Sequence, residues 1–210
     1  MSGEAPGGTP RKSLWTWLWE RPARRWLLGM PVGAFLALGV GAAGWISFEA
    51  VLAATNTEAF CISCHEMKDN VYAEYVGTIH DKNRTGVRAT CPDCHVPKAF
   101  HHKMARKIQA SLNELPAHFL GKIDTPAKFE AHRAEMAESV WAAMRATDSR
   151  ECRNCHKLDH MNLEVQDKSA QRKHKAALEK KDKTCIDCHQ GIAHTLPEET
   201  AEAGAEPAAE

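Results

Sequence analysis

Between Trp26 and Phe48 the chain carries 23 consecutive residues without an ionisable side chain. At about 1.5 Å per residue a helix of that length covers the roughly 30 Å hydrocarbon core of a bilayer, so the pattern predicts one membrane span. A cleaved signal peptide with Val51-Leu52-Ala53 as its processing site is the competing reading, but an apolar h-region normally runs only about 7–15 residues. Past Phe48 the apolar positions become sparse and take helical spacing. Thr125 can cap a helix with Pro126 in its first position, and Phe129, Met136, Val140 and Met144 recur along it before Arg145 and Arg150. His102 to Leu115 and Ser169 to Lys180 read as two further helices. No alternating run of β-branched residues suggests a sheet, so the fold class is mainly α. Pro197 to Glu210, with five Glu and no aromatic residue, reads as a disordered acidic tail.

The flanks of the apolar run give it a direction. Arg11, Lys12, Arg21, Arg24 and Arg25 precede it against Glu4 and Glu20, whereas Glu49 and Glu58 follow. The positive-inside rule then leaves residues 1–25 in the cytoplasm and exports everything from Glu49 onward, into the periplasm of a Gram-negative cell. Trp15, Trp17, Trp19 and Trp26 suit the headgroup belt. Gly29, Gly33, Ala37 and Gly41 put small side chains on one helical face, where another membrane helix, in a homo-oligomer or a partner subunit, could approach closely.

Composition adds one exclusion and one signal. With 27 Lys+Arg against 27 Asp+Glu the chain is no strongly basic nucleic-acid binder. All eight Cys lie beyond residue 60, in Cys61-x-x-Cys64-His65, Cys91-x-x-Cys94-His95, Cys152-x-x-Cys155-His156 and Cys185-x-x-Cys188-His189. C-x-x-C-H is the attachment signature of c-type heme: both thiols reach the porphyrin vinyl groups while the histidine turns under the iron. Two zinc sites of four thiolates each would leave the four matched histidines unexplained. Four structural disulfides would require no histidine at all. The spacing therefore predicts four covalent hemes, held by Cys61, Cys64, Cys91, Cys94, Cys152, Cys155, Cys185 and Cys188.

A low-spin heme iron needs a sixth ligand, and eight histidines remain: His80, His101, His102, His118, His132, His160, His174 and His194. Cys61–His95 and Cys152–His189 form two diheme blocks whose second motifs match as Thr-Cys-x-Asp-Cys-His. His80 stands 11 residues before Cys91 and His174 stands 11 before Cys185, which puts these two first as distal ligands. His194 comes next, then His101 or His102. Met67 could compete for the first iron, and its thioether would raise the potential; the alternative is that it packs against the porphyrin edge. Only 12 residues separate Cys61 from the expected span, so the first heme is the one nearest the lipid.

Cys61-x-x-Cys64-His65-Glu66-Met67, Gly86-Val87-Arg88-Ala89-Thr90-Cys91-Pro92-Asp93-Cys94-His95-Val96-Pro97, Lys103-Met104-Ala105-Arg106-Lys107, Ile123-Asp124-Thr125-Pro126-Ala127-Lys128-Phe129-Glu130, Glu151-Cys152-Arg153-Asn154-Cys155-His156 and Gly191-Ile192-Ala193-His194 together resemble the NapC/NirT group of membrane-anchored multiheme quinol dehydrogenases. The resemblance implies four covalent hemes, a quinol site at the membrane face of the first heme, and electron delivery to a periplasmic reductase or small carrier of anaerobic respiration, nitrate or nitrite reduction included. Family ligand positions match His80, His174 and His194, and relatives with the same first motif use Met67 on the first iron in place of His65. Lys98 stands where some members have His, which leaves the first heme's sixth site open or otherwise filled. The expected organisation is a basic terminus 1–25, an anchor 26–48, a first diheme module 49–97, a helical connector 98–150, a second diheme module 151–196 and a tail 197–210. Quinol would dock between anchor and first heme in the inner membrane, with Lys98, Lys103, Asp69 and Glu66 as candidates for the proton exit. The rival reading is a terminal reductase acting on nitrite or a similar oxide at an open iron.

Overall fold

The structure is a computed structural model that describes residues 12–22 and 28–198. Among these every regular element is helical. A short helix α1 (Leu14–Trp19) is capped by Ser13, whose side chain accepts from the Trp15 N–H. Helix α2 (Val32–Ala54) is long and apolar enough to cross a membrane: its 23 residues span about 34 Å. It begins later than the run from Trp26 suggested and extends past Phe48. The cause lies in the backbone just before it, where Leu28 and Gly29 both take positive φ (52° and 73°) and Pro31 precedes the first helical residue. Gly29 is therefore outside the helix. Gly33 is occupied within the chain: a Cβ there would stand 2.8 Å from the Leu18 carbonyl oxygen and 3.2 Å from the Trp19 ring. Gly33 alone of the small face's glycines thus serves the packing of α1. Trp26 and the start of the expected span lie outside the described residues, as does the acidic tail from residue 199.

The chain divides into two compact units, one up to Ala54 and one from Thr55. The second contains α3 (Glu58–Cys61), a π-helical turn (Met67–Tyr72), α4 (Ala73–Tyr75), α5 (Cys91–His95), α6 (Phe100–Phe119), α7 (Pro126–Ala146), α8 (Arg150–Arg153) and α9 (Lys168–Lys180). Thr125 caps α7 by accepting from the Lys128 N–H at 3.3 Å, with Pro126 first in the helix. Helix α6 runs one turn beyond Leu115, through Pro116, and so carries His118 on its last turn.

Side chains alone build a thin core. Among the described residues the buried large apolar side chains are Tyr75, Phe129 and Ile186, and a charged residue, Arg133, is buried with its guanidinium over the Phe129 ring. Hydrophobic periodicity could not have placed Arg133 inside. A domain from Thr55 to Glu198 with so few buried apolar side chains fits an interior shared with large planar cofactors.

Candidate functional site

The second motif of each diheme block is shaped by the same local device. The Thr90 and Thr184 N–H groups donate to the Asp93 and Asp187 carboxylates at 2.9 and 2.8 Å, closing capping boxes around Cys91 and Cys185. This is the physical content of the Thr-Cys-x-Asp-Cys-His repeat. The third motif is steered differently, by Asp148 and Ser149 in left-handed conformation (φ 52° and 48°) at the end of α7. The fully buried Ser149 hydroxyl accepts from Ile186 N–H at 3.2 Å and meets the Thr184 hydroxyl at 2.7 Å, which ties the third motif to the fourth.

No disulfide joins any of the eight cysteines. The motifs are neighbours in chain order. The Cys61 thiol hydrogen-bonds with Cys91, which draws it down to about 7; burial pushes Cys94 up to about 11, with Cys152 and Cys155 close enough to add to it; and burial raises Cys152, with Cys185 adding to it.

The histidines supply the decisive geometry. His65 faces His118 with ring centres 6.2 Å apart, His95 faces His194 at 6.2 Å, His156 faces His80 at 6.1 Å and His189 faces His174 at 6.0 Å. Every motif histidine is thus opposed by one histidine from outside the motifs. An iron held by one nitrogen of each ring at about 2 Å requires ring centres about 6 Å apart, and all four separations match that distance. His101 and His102 fit no such role with each other: their ring centres are 4.0 Å apart on the first turn of α6.

Two arrangements here were not legible in the spacing. The ring opposite His65 is that of His118, which sequence reasoning left unranked, while Met67 begins the π-helical turn after Glu66. Nothing in the spacing singles out His118; only the extension of α6 past Pro116 brings it to the first motif. The equal 11-residue offsets also do not make His80 and His174 equivalent. His174 faces the motif of its own block, whereas His80 faces His156 of the other block and His194 crosses back to His95. The two blocks are interlocked.

Each opposing histidine is held. The Tyr75 hydroxyl donates to the His80 carbonyl at 3.1 Å and also to that of Ala89, clamping the loop that carries His80. The His194 Nδ1 lies 3.1 Å from the Val71 carbonyl, and the next residue is fixed by Thr195 N–H donating to Glu74. Arg133 bridges Glu74 at 2.6 Å, Glu130 at 2.6 Å and the Thr195 carbonyl at 3.2 Å. Removing one partner from a buried ion pair strands the other, so Arg133→Met is expected to lower unfolding free energy by about 3 kcal/mol and to disturb the placement of His194 opposite His95 first. Denaturant unfolding of the purified protein with low-spin heme absorbance as a second probe measures both.

Burial pushes His95 down to about 4, with smaller contributions from His194 and Arg106, and burial likewise lowers His80 and His194. These imidazoles stay neutral at neutral pH, the form that binds metal. Glu66 is 3% exposed, with one carboxylate oxygen 2.7 Å from His118 Nδ1 and 3.5 Å from His65 Nε2. Its burial, which alone would raise its pKa, is outweighed by hydrogen bonds from its own backbone and His118 and by the nearby rings, so it is held below the usual carboxylate range.

Lys98 and Lys103 line one cavity of about 260 Å³ together with Asn56, Asp93, Val96 and Pro97. The Asn56 side-chain oxygen is buried without a hydrogen-bond partner.

An apolar anchor helix followed by a helical domain with four thiol-pair motifs and four facing imidazole pairs defines a membrane-anchored multiheme c-type cytochrome of electron transport. The chain belongs to the NapC/NirT cytochrome c family, whose N-terminal region matches residues 24–199. It is 55% identical over 183 residues to the denitrification system component NirT of Stutzerimonas stutzeri, covering 86% of this chain and 88% of that protein. It is 49% identical over 189 residues to the cytochrome c-type protein NapC of Escherichia coli K12, covering 89% and 90%. It is 47% identical over 163 residues to the cytochrome c-type protein TorY of Escherichia coli O157:H7, covering 78% of this chain and 44% of that one. No solved structure matches.

Proposed function

We propose that the chain is a tetraheme quinol dehydrogenase of the bacterial inner membrane, which takes electrons from membrane quinol and passes them to a periplasmic reductase of anaerobic respiration or to a small carrier. The observation that carries this reading is the set of four imidazole pairs with ring centres 6.0–6.2 Å apart, each joining a motif histidine to one from elsewhere. Heme iron bound there supplies reversible one-electron storage. The paired cysteines would hold each porphyrin, the eight histidines would fix the axial positions, and the neighbour-to-neighbour order of the motifs suits a relay. The opposing ring at every motif histidine favours this reading over a reductase acting at an open iron.

The cavity beside Lys98 and Lys103 supports the quinol half of the proposal. One of its lining residues, Asn56, comes two positions after Ala54 in sequence, others belong to the second motif, and Cys91 of that motif is hydrogen-bonded to Cys61 of the first. The unpartnered Asn56 oxygen can accept a quinol hydroxyl, and the two ammonium groups favour the phenolate that forms as the proton leaves. Lys98→Ala and Lys103→Ala are expected to slow quinol-driven heme reduction in membranes roughly tenfold, a barrier increase of about 1.4 kcal/mol, with heme content unchanged. Unaltered rates would remove both lysines from the quinol site. Oxidation of the quinol-reduced protein by candidate periplasmic reductases tests the exit side.

A further inference from the structure

The charges of the chain balance as a whole but not along α9. Helix and cap carry six cations, Lys168, Arg172, Lys173, Lys175, Lys180 and Lys181, against Glu179. All six are exposed, and among the described residues none of them is in an ion pair. The arginines just before the helix behave differently: Arg133, Arg145, Arg150 and Arg153 each meet a carboxylate within 3.0 Å. Like charges four apart on a helix are destabilising, as Lys168 and Arg172 are here, so the fold does not account for them. Helical spacing sorts the cations around a half-buried side formed by Ala170, Gln171, His174, Ala177 and Leu178. Lys168, Arg172 and Lys175 stripe one flank of that side, and Lys173 and Lys180 stripe the other. His174 faces His189 at 6.0 Å, so the two stripes border the ring pair of the fourth motif. Gln171 Nε2 donates to the Glu164 and Gln166 carbonyls at 3.0 and 2.8 Å, which pins against α9 the turn that carries Val165, 79% exposed. A bare apolar side chain beside charge of one sign suits a small, transient protein interface.

We infer that the exposed face of α9 docks an electron-accepting protein by that partner's acidic surface, so that electrons leave the chain at the fourth motif. The inference rests on the delivery to a separate acceptor given under Proposed function, and adds to it a place and a charge. Attraction between opposite fields raises the encounter rate by roughly 10–10³-fold and fades as salt screens it.

The test uses the full-length holoprotein in nanodiscs of neutral lipid, reduced with stoichiometric dithionite so that the readout does not pass through quinol. Plastocyanin, an acidic blue-copper protein, is the probe, and mitochondrial cytochrome c, which is basic, is its counterpart. Each transfer oxidises one ferrous heme and reduces one cupric or ferric centre. In the triple variant Lys168→Glu, Lys180→Glu, Lys181→Glu, reoxidation by plastocyanin at low salt should slow at least about tenfold, while reoxidation by cytochrome c does not slow and high salt removes the difference from wild type. Binding of redox-inactive, zinc-substituted plastocyanin, followed by calorimetry, should weaken in parallel. Lys68→Glu, Lys82→Glu, Arg84→Glu makes the same change in net charge elsewhere and should leave both readouts near wild type. Equal losses in the two triple variants, or none in the first, would overturn the inference. So would a wild-type plastocyanin rate that does not fall as salt rises, a result that needs no variant. A difference between wild type and the first variant that disappears in nanodiscs of anionic lipid would give the face to headgroups and overturn it as well. Failure of quinol to reduce the hemes would instead strike the reading under Proposed function, because dithionite bypasses that step.

Discussion

Substituting His118 by alanine is expected to turn one iron of four from low-spin to high-spin and to leave thioether attachment intact, while Met67→Ala leaves every iron low-spin. The reason is geometric: the His118 ring faces His65 at 6.2 Å, the separation an iron between two imidazoles requires. Loss of an outer partner of a metal ligand typically costs roughly 10–100-fold in affinity or activity, and loss of the ligand itself should cost quinol-driven turnover at least as much. Electron paramagnetic resonance of the ferric protein counts the low-spin irons, and a pyridine hemochrome counts the hemes. A low-spin signal lost in Met67→Ala and kept in His118→Ala would restore the thioether as the axial group.

The second large effect concerns which heme each crossing histidine serves. His80 faces His156 and His194 faces His95. Combining His80→Ala with His156→Ala should therefore disturb one iron, because both substitutions act on one site. Combining His80→Ala with His95→Ala should disturb two. Substitutions at one site are non-additive and those at separate sites add, so counting low-spin irons in the two double variants distinguishes the interlocked arrangement from one in which each block serves itself. The interlock also predicts that a change in one block reports in the other: His194→Ala should perturb the second heme, 99 residues earlier in the chain than the mutated position.

Much of this protein is written locally. The anchor is legible because a bilayer demands an unbroken apolar run, and the helix starting at Pro126 because Thr125 and Pro126 satisfy and set its first turn without help from distant residues. The attachment motifs are equally local, since two thiols and a histidine within five residues suffice to grip a porphyrin. The start of the anchor was misjudged where composition hid a backbone event: Leu28 and Gly29 are apolar or neutral, yet their positive φ and the following Pro31 delay the helix to Val32. Arg133 shows the opposite failure. It reads as a surface charge, but its burial depends on Glu74 and Thr195, 59 and 62 residues away.

Residue by residue, then, the amino-acid chain alone determined an apolar anchor, a helical domain after it and the identity of eight thiols and four motif histidines, because each of those is a short-range pattern with its own physical cause. The partners of those histidines were decided by tertiary structure. Axial ligation joins groups that are near in space and indifferent to sequence distance, so the equal offsets of His80 and His174 carried no information about which ring each would meet. The reach of α6 to His118, the Tyr75 clamp on His80 and the Arg133–Glu74 tie behind His194 bring three of the four opposing imidazoles within 6.1–6.2 Å.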